Sequence, residues 1–200
     1  MENQTQESPY DLILKNVARF IDLNDEEKAL YKSLLKKGTA KRKEFVIRPG
    51  EIAKYEYYVT KGCLKVYSLD RNGYEHVSMF AIEDYWTGDM ASFTLLQPST
   101  YFIKALEDSE FLMLSKENFE RLFKEAPKFE RFYRILYQRS LVSYIKRTNQ
   151  GISLTAEERY EIFLREYPQI ANRITQKDLA AYLGITPEFL SMIRSRMSKR

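Results

Sequence analysis

Residues 175–194 constrain the fold of this chain more tightly than any other stretch. Thr175 stands where a side-chain oxygen can accept from the unpaired N–H groups that open a helix. Leu179, Ala180 and Leu183 then share one face at helical spacing. Gly184 follows where the chain must leave that helix with positive φ, which glycine does at little cost. Pro187 suits the first turn of a second helix, because its missing N–H has no partner to lose there. Leu190 and Ile193 return an apolar stripe to the first helix, and Ala180 is small where the two must cross closely. The segment predicts two short helices joined by a tight turn, a helix-turn-helix.

Such hairpins read DNA in some proteins and only pack in others, and charge helps to separate the two uses. Residues 172–200 carry Arg173, Lys177, Arg194, Arg196, Lys199 and Arg200 against Asp178 and Glu188, a net +4 that equals the formal charge of all 200 residues. The cationic excess is therefore confined to this segment. Phosphate contact needs that arrangement, since neutralising phosphates releases counterions and drives binding. A solvated basic tail accounts for Lys199 and Arg200 equally well, but not for the turn pattern.

Length and composition allow one large domain or two small ones, each able to bury a core. Hydrophobic residues make up 44% and aromatics 14%, and no low-complexity tract is present, so the chain is globular. No apolar run approaches the roughly 20 residues of a membrane helix. The first residues, Met1-Glu-Asn-Gln-Thr-Gln-Glu7, lack the basic and apolar regions of a secretory signal, and a cytoplasmic protein is expected. Cys63 is the only cysteine, which excludes an intrachain disulfide.

The periodicity changes along the chain. Residues 10–37 predict one or two amphipathic helices, with Leu12, Val17, Phe20 and Ile21, then Leu30, Leu34 and Leu35. From about 39 to 115 the period shortens to two, punctuated at Arg48-Pro-Gly-Glu51, Lys61-Gly62 and Asp70-Arg-Asn-Gly73. Short strands at that spacing predict an antiparallel barrel or jelly roll. Lys116 onward is helical again. A long helix is predicted over about 127–148 with Phe129, Phe132, Ile135, Leu136, Leu141, Val142 and Ile145; its stripe suits either a seam with a second copy or burial against its own barrel. Thr155 and Glu158 have capping-box spacing. The expected fold is α+β: a barrel domain with flanking helices over 1–126, a long connecting and dimerisation helix over 127–149, and a helix-turn-helix domain over 150–200.

This order of parts resembles the Crp/Fnr family of bacterial transcription regulators, whose barrel is cyclic-nucleotide-binding-like. The resemblance covers about 15–197. It is most specific at Thr155-Ala-Glu-Glu-Arg159 and residues 174–194, and looser at Pro49-Gly-Glu51 and Gly88-Asp-Met-Ala91. It implies a homodimer placing two second helices in successive major grooves of double-stranded DNA, at a palindromic site with half-sites about 34 Å apart. It also implies RNA polymerase as a partner and an effector, not identified, that acts on the barrel.

The reading helix is expected to expose Thr186, Pro187, Glu188, Ser191, Met192 and Ser195 at its groove-facing end. Glu188 falls where family members carry a base-reading Glu and can accept from a cytosine amino group. Met192 departs from the family's frequent Arg and offers only apolar contact, as to a thymine methyl. Thr175, Gln176, Lys177, Arg194 and Arg196 are expected to hold the backbone and set register. The chain stops at Arg200, so any β wing must come from 169–174, and a reduced wing is expected.

The effector pocket is expected around Gly88, Asp89, Met90, Ala91, Ser99 and Thr100. In cyclic-nucleotide-binding relatives a Gly-Glu pair and a following Arg hold the ribose and cyclic phosphate. Here Gln97-Pro-Ser-Thr100 supplies no Arg, so cyclic AMP is not expected. One cysteine cannot furnish an iron–sulfur cluster's usual four thiolates, and lone Cys63 and His76 read as packing residues before haem ligands. Tyr85, Trp86, Phe93 and Tyr101 suit an apolar ligand or, more simply, a filled core. With His76 the only histidine, neither a cupin-type metal set nor a Ser-His-Asp triad can be assembled, and no phosphate loop appears; an enzyme is not expected. The competing reading is a ligand-binding or protein-interaction module whose terminal helices merely pack.

Overall fold

The computed structural model describes residues 8–198. Met1–Glu7, read above for the absence of a secretory signal, and Lys199 and Arg200, counted in the basic tail, lie outside the described residues.

Two capped helices open the described chain. Ser8 and Asp11 form a capping box at α1 (Pro9–Ala18), and Asn24 and Glu27 form another at α2 (Asp25–Leu34). Their apolar faces bury Ile13 and Val17, then Tyr31 and Leu34. The predicted helical stretch ends at Leu34, because Leu35 already begins a strand.

The strands are β1 (Leu35–Ala40), β2 (Phe45–Ile47), β3 (Tyr55–Lys61), β4 (Leu64–Leu69), β5 (Glu75–Ala81), β6 (Trp86–Thr87), β7 (Phe102–Ala105) and β8 (Ser109–Ser115), with a short α3 (Met90–Leu95) before β7. They form two antiparallel four-stranded sheets, ordered β1-β8-β3-β6 and β2-β7-β4-β5. This corrects the expected closed barrel or jelly roll: neither sheet closes on itself. Each ends on short or unpaired edges, since β6 is two residues long and β2 three, with a register shift between Phe45 and Ile47. Pairing stops after Thr87 because Asp89 caps α3 and turns the chain away. Gly62, at φ 91°, permits the tight step from β3 to β4; a side chain there would meet the Ser109 Oγ at 2.4 Å.

Helices complete the chain: α4 (Lys116–Glu125), α5 (Lys128–Ser153), α6 (Ala156–Glu166), α7 (Pro168–Ala171), α8 (Gln176–Leu183) and α9 (Pro187–Met197). The long helix runs past its predicted end and through Gly151. Residues 169–174 hold no strand. Pro168 starts α7 and Ile170 is buried, so the reduced wing expected there is a helical turn instead. No helix among the described residues is long and apolar enough to cross a membrane.

Two cores result. The first packs the sheets against α1, α2, α4 and the opening of α5, where Phe129, Phe132 and Tyr133 are buried. The second joins Cys63, Tyr67, Val77, Phe80 and Ile82 of the sheet region to Tyr160, Phe163, Ile170, Leu179, Leu183, Leu190 and Ile193 of the terminal helices. The helix-turn-helix is thus built onto the β4–β5 sheet rather than tethered beside it.

Candidate nucleic-acid interface

The turn forms as its residues require. The Thr175 side chain accepts from the Asp178 N–H at 3.1 Å and caps α8. Gly184 takes φ 69°, and the Ile185 N–H reaches back to the Ala180 carbonyl at 3.0 Å. Thr186 caps α9 by accepting from the Phe189 N–H, and Pro187 fills its first position. Ala180, Leu190 and Ile193 are buried between the two helices. The capping box at Thr155 and Glu158 also forms, and Arg159 donates to the Leu154 and Leu183 carbonyls, tying α6 to the end of α8.

With that stripe buried, the opposite side of α9 faces solvent. Thr175, Lys177, Thr186, Glu188, Ser191, Met192, Arg194, Ser195 and Arg196 are exposed, and Pro187 is half-buried. Glu188, Met192 and Ser195 follow one another at helical spacing in the middle of the exposed face. Phe189, which sequence reasoning passed over, lies beside Met192 and is 39% exposed. Its signal was available: it is three residues from Met192 and off the Leu190–Ile193 stripe.

Two expected contacts are already engaged within the protein. The half-buried Gln176 amide donates to the Pro187 carbonyl at 2.9 Å and to the Ser191 Oγ, so it locks α9 onto α8 instead of standing free for phosphate. Arg173, counted in the cationic excess, is held by Glu83 at 2.5 Å and Glu107 at 2.7 Å. Glu107 and Glu83 together raise its guanidinium above the ordinary range. Among the described residues of 172–198, the exposed cations are Lys177, Arg194 and Arg196.

The side of α8 opposite Gln176 is pinned to the sheet. The buried Lys65 ammonium meets Asp178 and Glu75, each at 2.7 Å, and lies over the Tyr67 ring. Burial opposes its charge, but the two carboxylates outweigh burial and raise it. Burial likewise works against the Asp178 carboxylate, yet hydrogen bonds from Lys65 and Thr175 hold it below the ordinary range. Arg147 of α5 stacks on Tyr182 of α8 at 3.9 Å and donates to the Val77, Ser78 and Tyr182 carbonyls. Beside it a cleft of about 810 Å³ opens between β5, α5, α6 and α8.

The residues assigned to an effector pocket separate by burial. Asp89 and Ser99 are buried, whereas Met90, Ala91 and Thr100 are exposed and Gly88 is half-buried. One Asp89 oxygen accepts from the Ser92 N–H at 3.1 Å, capping α3; the other accepts from the Ser99 hydroxyl at 2.7 Å. Trp86 packs against Tyr58, Phe132 and Tyr133, and Phe93 against Phe119. These rings fill the core. Cys63 is buried in the second core, where burial pushes its thiol up to about 12, and His76 pairs with Asp70 at 3.0 Å.

Further along α5 the apolar stripe changes role. Leu141 and Ile145 are 57% and 48% exposed, and Tyr144 and Ile152 are also open to solvent. That stripe lies on the opposite side of the helix from the cleft.

Comparison with known proteins agrees with this geometry. Residues 38–126 match the model of the cyclic nucleotide-binding domain. The anaerobic regulatory protein of Pasteurella multocida is 24% identical over 193 residues, covering 88% of this chain and 68% of that protein. The c-di-GMP-responsive global regulator CLP of Xanthomonas campestris superposes with a TM-score of 0.73 at 16% identity, over 88% of this chain and 92% of that one. A structure from Eubacterium rectale, described as a transcriptional regulator of the Crp/Fnr family, gives 0.68 at 18% identity over 88% and 84%. Residues 38–126 are thus similar to the cyclic nucleotide-binding domain, and the chain shares the fold of those two solved structures.

Proposed function

We propose that this protein is a non-catalytic, Crp/Fnr-type transcription regulator that binds duplex DNA as a homodimer. The observation that carries this reading is the two-sided character of α9. One side is committed to the core through Leu190 and Ile193, and the other presents Glu188, Met192 and Ser195 to solvent. A protruding helix of that kind, with Lys177, Arg194 and Arg196 around it, suits a major groove flanked by phosphates. The exposed stripe on α5 supplies the seam for a second copy and hence a palindromic site. Residues 1–126 serve as sensor, 127–149 as connector and 150–200 as reader, with RNA polymerase the partner such a regulator requires.

Effector control follows from the shared second core. Any shift of β4 and β5 is felt at α8 through Lys65–Asp178 and Arg173–Glu83, so a ligand with different affinities for two sheet positions would move the reading heads. Cyclic AMP is a poor candidate. The Asp89 carboxylate already occupies the N-terminus of α3, and no arginine stands at 97–100 to clamp a phosphate.

Selection of bound duplexes from a random pool tests the proposal. A two-fold symmetric sequence should be enriched, and Glu188→Ala should relax preference at one position per half-site while leaving the others unchanged. Enrichment of no sequence would contradict it.

A further inference from the structure

The groove-facing side chains of α9 form an unusual set. Its first two turns hold no Arg, Lys, Asn or Gln, and the nearby Gln176 amide is spent on Pro187 and Ser191. The bidentate donors that read guanine O6 and N7, and the amides that read adenine N6 and N7, are therefore missing from this face. What remains is one carboxylate at Glu188, the hydroxyls of Thr186, Ser191 and Ser195, and two large apolar groups.

Those two are Phe189 and Met192, 39% and 50% exposed. Spaced by three residues, they lie side by side on the helix, and Arg196 extends the same row by one turn. Each leaves apolar surface in water although Leu190 and Ile193 already satisfy the helix's own packing. Arg196 brings a cation into the row itself, and Lys177 and Arg194 are exposed elsewhere on α8 and α9, so its occupant is a polyanion with an apolar feature on its groove floor. In duplex DNA that feature is the C5-methyl of thymine.

We infer that Phe189 and Met192 form an apolar reading pair that selects thymine by its methyl group. The inference rests on α9 entering the major groove as proposed above. It makes thymine the base enriched beneath Met192, with Glu188 accepting from an amino group at a neighbouring pair.

The test substitutes deoxyuridine for thymine, one position at a time, in a duplex recovered by selection. Deoxyuridine pairs identically and lacks only the methyl, so the protein is unchanged and its folding is not at issue. Removing a buried methyl should weaken binding about fourfold at each position under the pair. Met192→Ala should bind the thymine and deoxyuridine duplexes alike, and Met192→Arg should shift the selected base to guanine. If the wild-type protein binds selected duplexes yet ignores deoxyuridine at every position, the apolar readout is wrong while the proposed function stands. If no duplex is bound at all, both fall together.

Discussion

The Lys65 ammonium and the Asp178 carboxylate meet at 2.7 Å across the junction between β4 and α8, with 5% and 10% of their side chains exposed. Thr175 caps α8 and its hydroxyl donates to the Asp178 carboxylate, so the position of α8 is bonded to the position of β4. Glu75, on the neighbouring strand, completes the cluster at 2.7 Å from the same nitrogen.

Lys65→Met should leave two acids facing each other without a cation. Breaking a buried pair by removing one partner costs about 3 kcal/mol. Urea unfolding should show that loss, and combining Lys65→Met with Asp178→Asn should recover much of it. The pH dependence has a definite sign. Asp178 is depressed, so its contribution is present above its unfolded value and is lost as pH falls through the lower folded one. Amide exchange in α8 should therefore accelerate below about pH 4 in the wild type, and Asp178→Asn should abolish that acid response. An acid profile unchanged by Asp178→Asn would contradict this role.

Glu56 supplies a second proton-linked group with the opposite sign. It is buried on β3, facing Tyr31 of α2 and Tyr133 and Tyr137 of α5. Burial raises its carboxyl to about 7, and the hydrogen bond with Tyr137 offsets only part of that rise. The folded state thus holds a proton that the unfolded chain has released, and stability should fall as pH rises from about 5 to 7. Glu56→Gln should match the wild type near pH 5 and exceed it at pH 8 by on the order of 3 kcal/mol. Parallel melting profiles for the two proteins would refute the assignment.

The dimer seam is tested at Leu141 and Ile145. Wild-type protein should sediment as a dimer at micromolar concentration, and Leu141→Glu with Ile145→Glu should sediment as a monomer. Because both side chains are exposed in the single chain, the monomer should keep its fold, with an unchanged circular dichroism spectrum. A wild-type monomer without effector would remove support for the seam.

Local signals were legible in the residues and long-range ones were not. Thr175, Gly184, Pro187 and the Thr155–Glu158 box all act within five residues of themselves, and each forms as its chemistry dictates. The partners of Arg173 and Lys65 could not be read that way. Glu83 lies 90 positions from Arg173, and Asp178 lies 113 from Lys65. Charge counting saw Arg173 as a free cation because an ion pair formed by folding leaves no mark in composition. Strand pairing failed for the same reason: alternation reveals strands, but β1 finds β8 and β2 finds β7 only in the folded chain, so an open pair of sheets and a closed barrel look alike. The long helix is predicted to end near residue 148, yet α5 continues through Gly151 to Ser153, the cost of about 1 kcal/mol for an interior glycine being small beside the rest of a 26-residue helix.

The most direct test of DNA reading by α9 is the salt dependence of affinity for a selected duplex. Lys177, Arg194 and Arg196 on each of two protomers should give a slope of log K against log salt of about −5 or steeper. Lys177→Ala should make that slope shallower by about 2 for the dimer and weaken binding to all sequences alike. A flat response, or no affinity for duplex at low salt, would contradict the proposal.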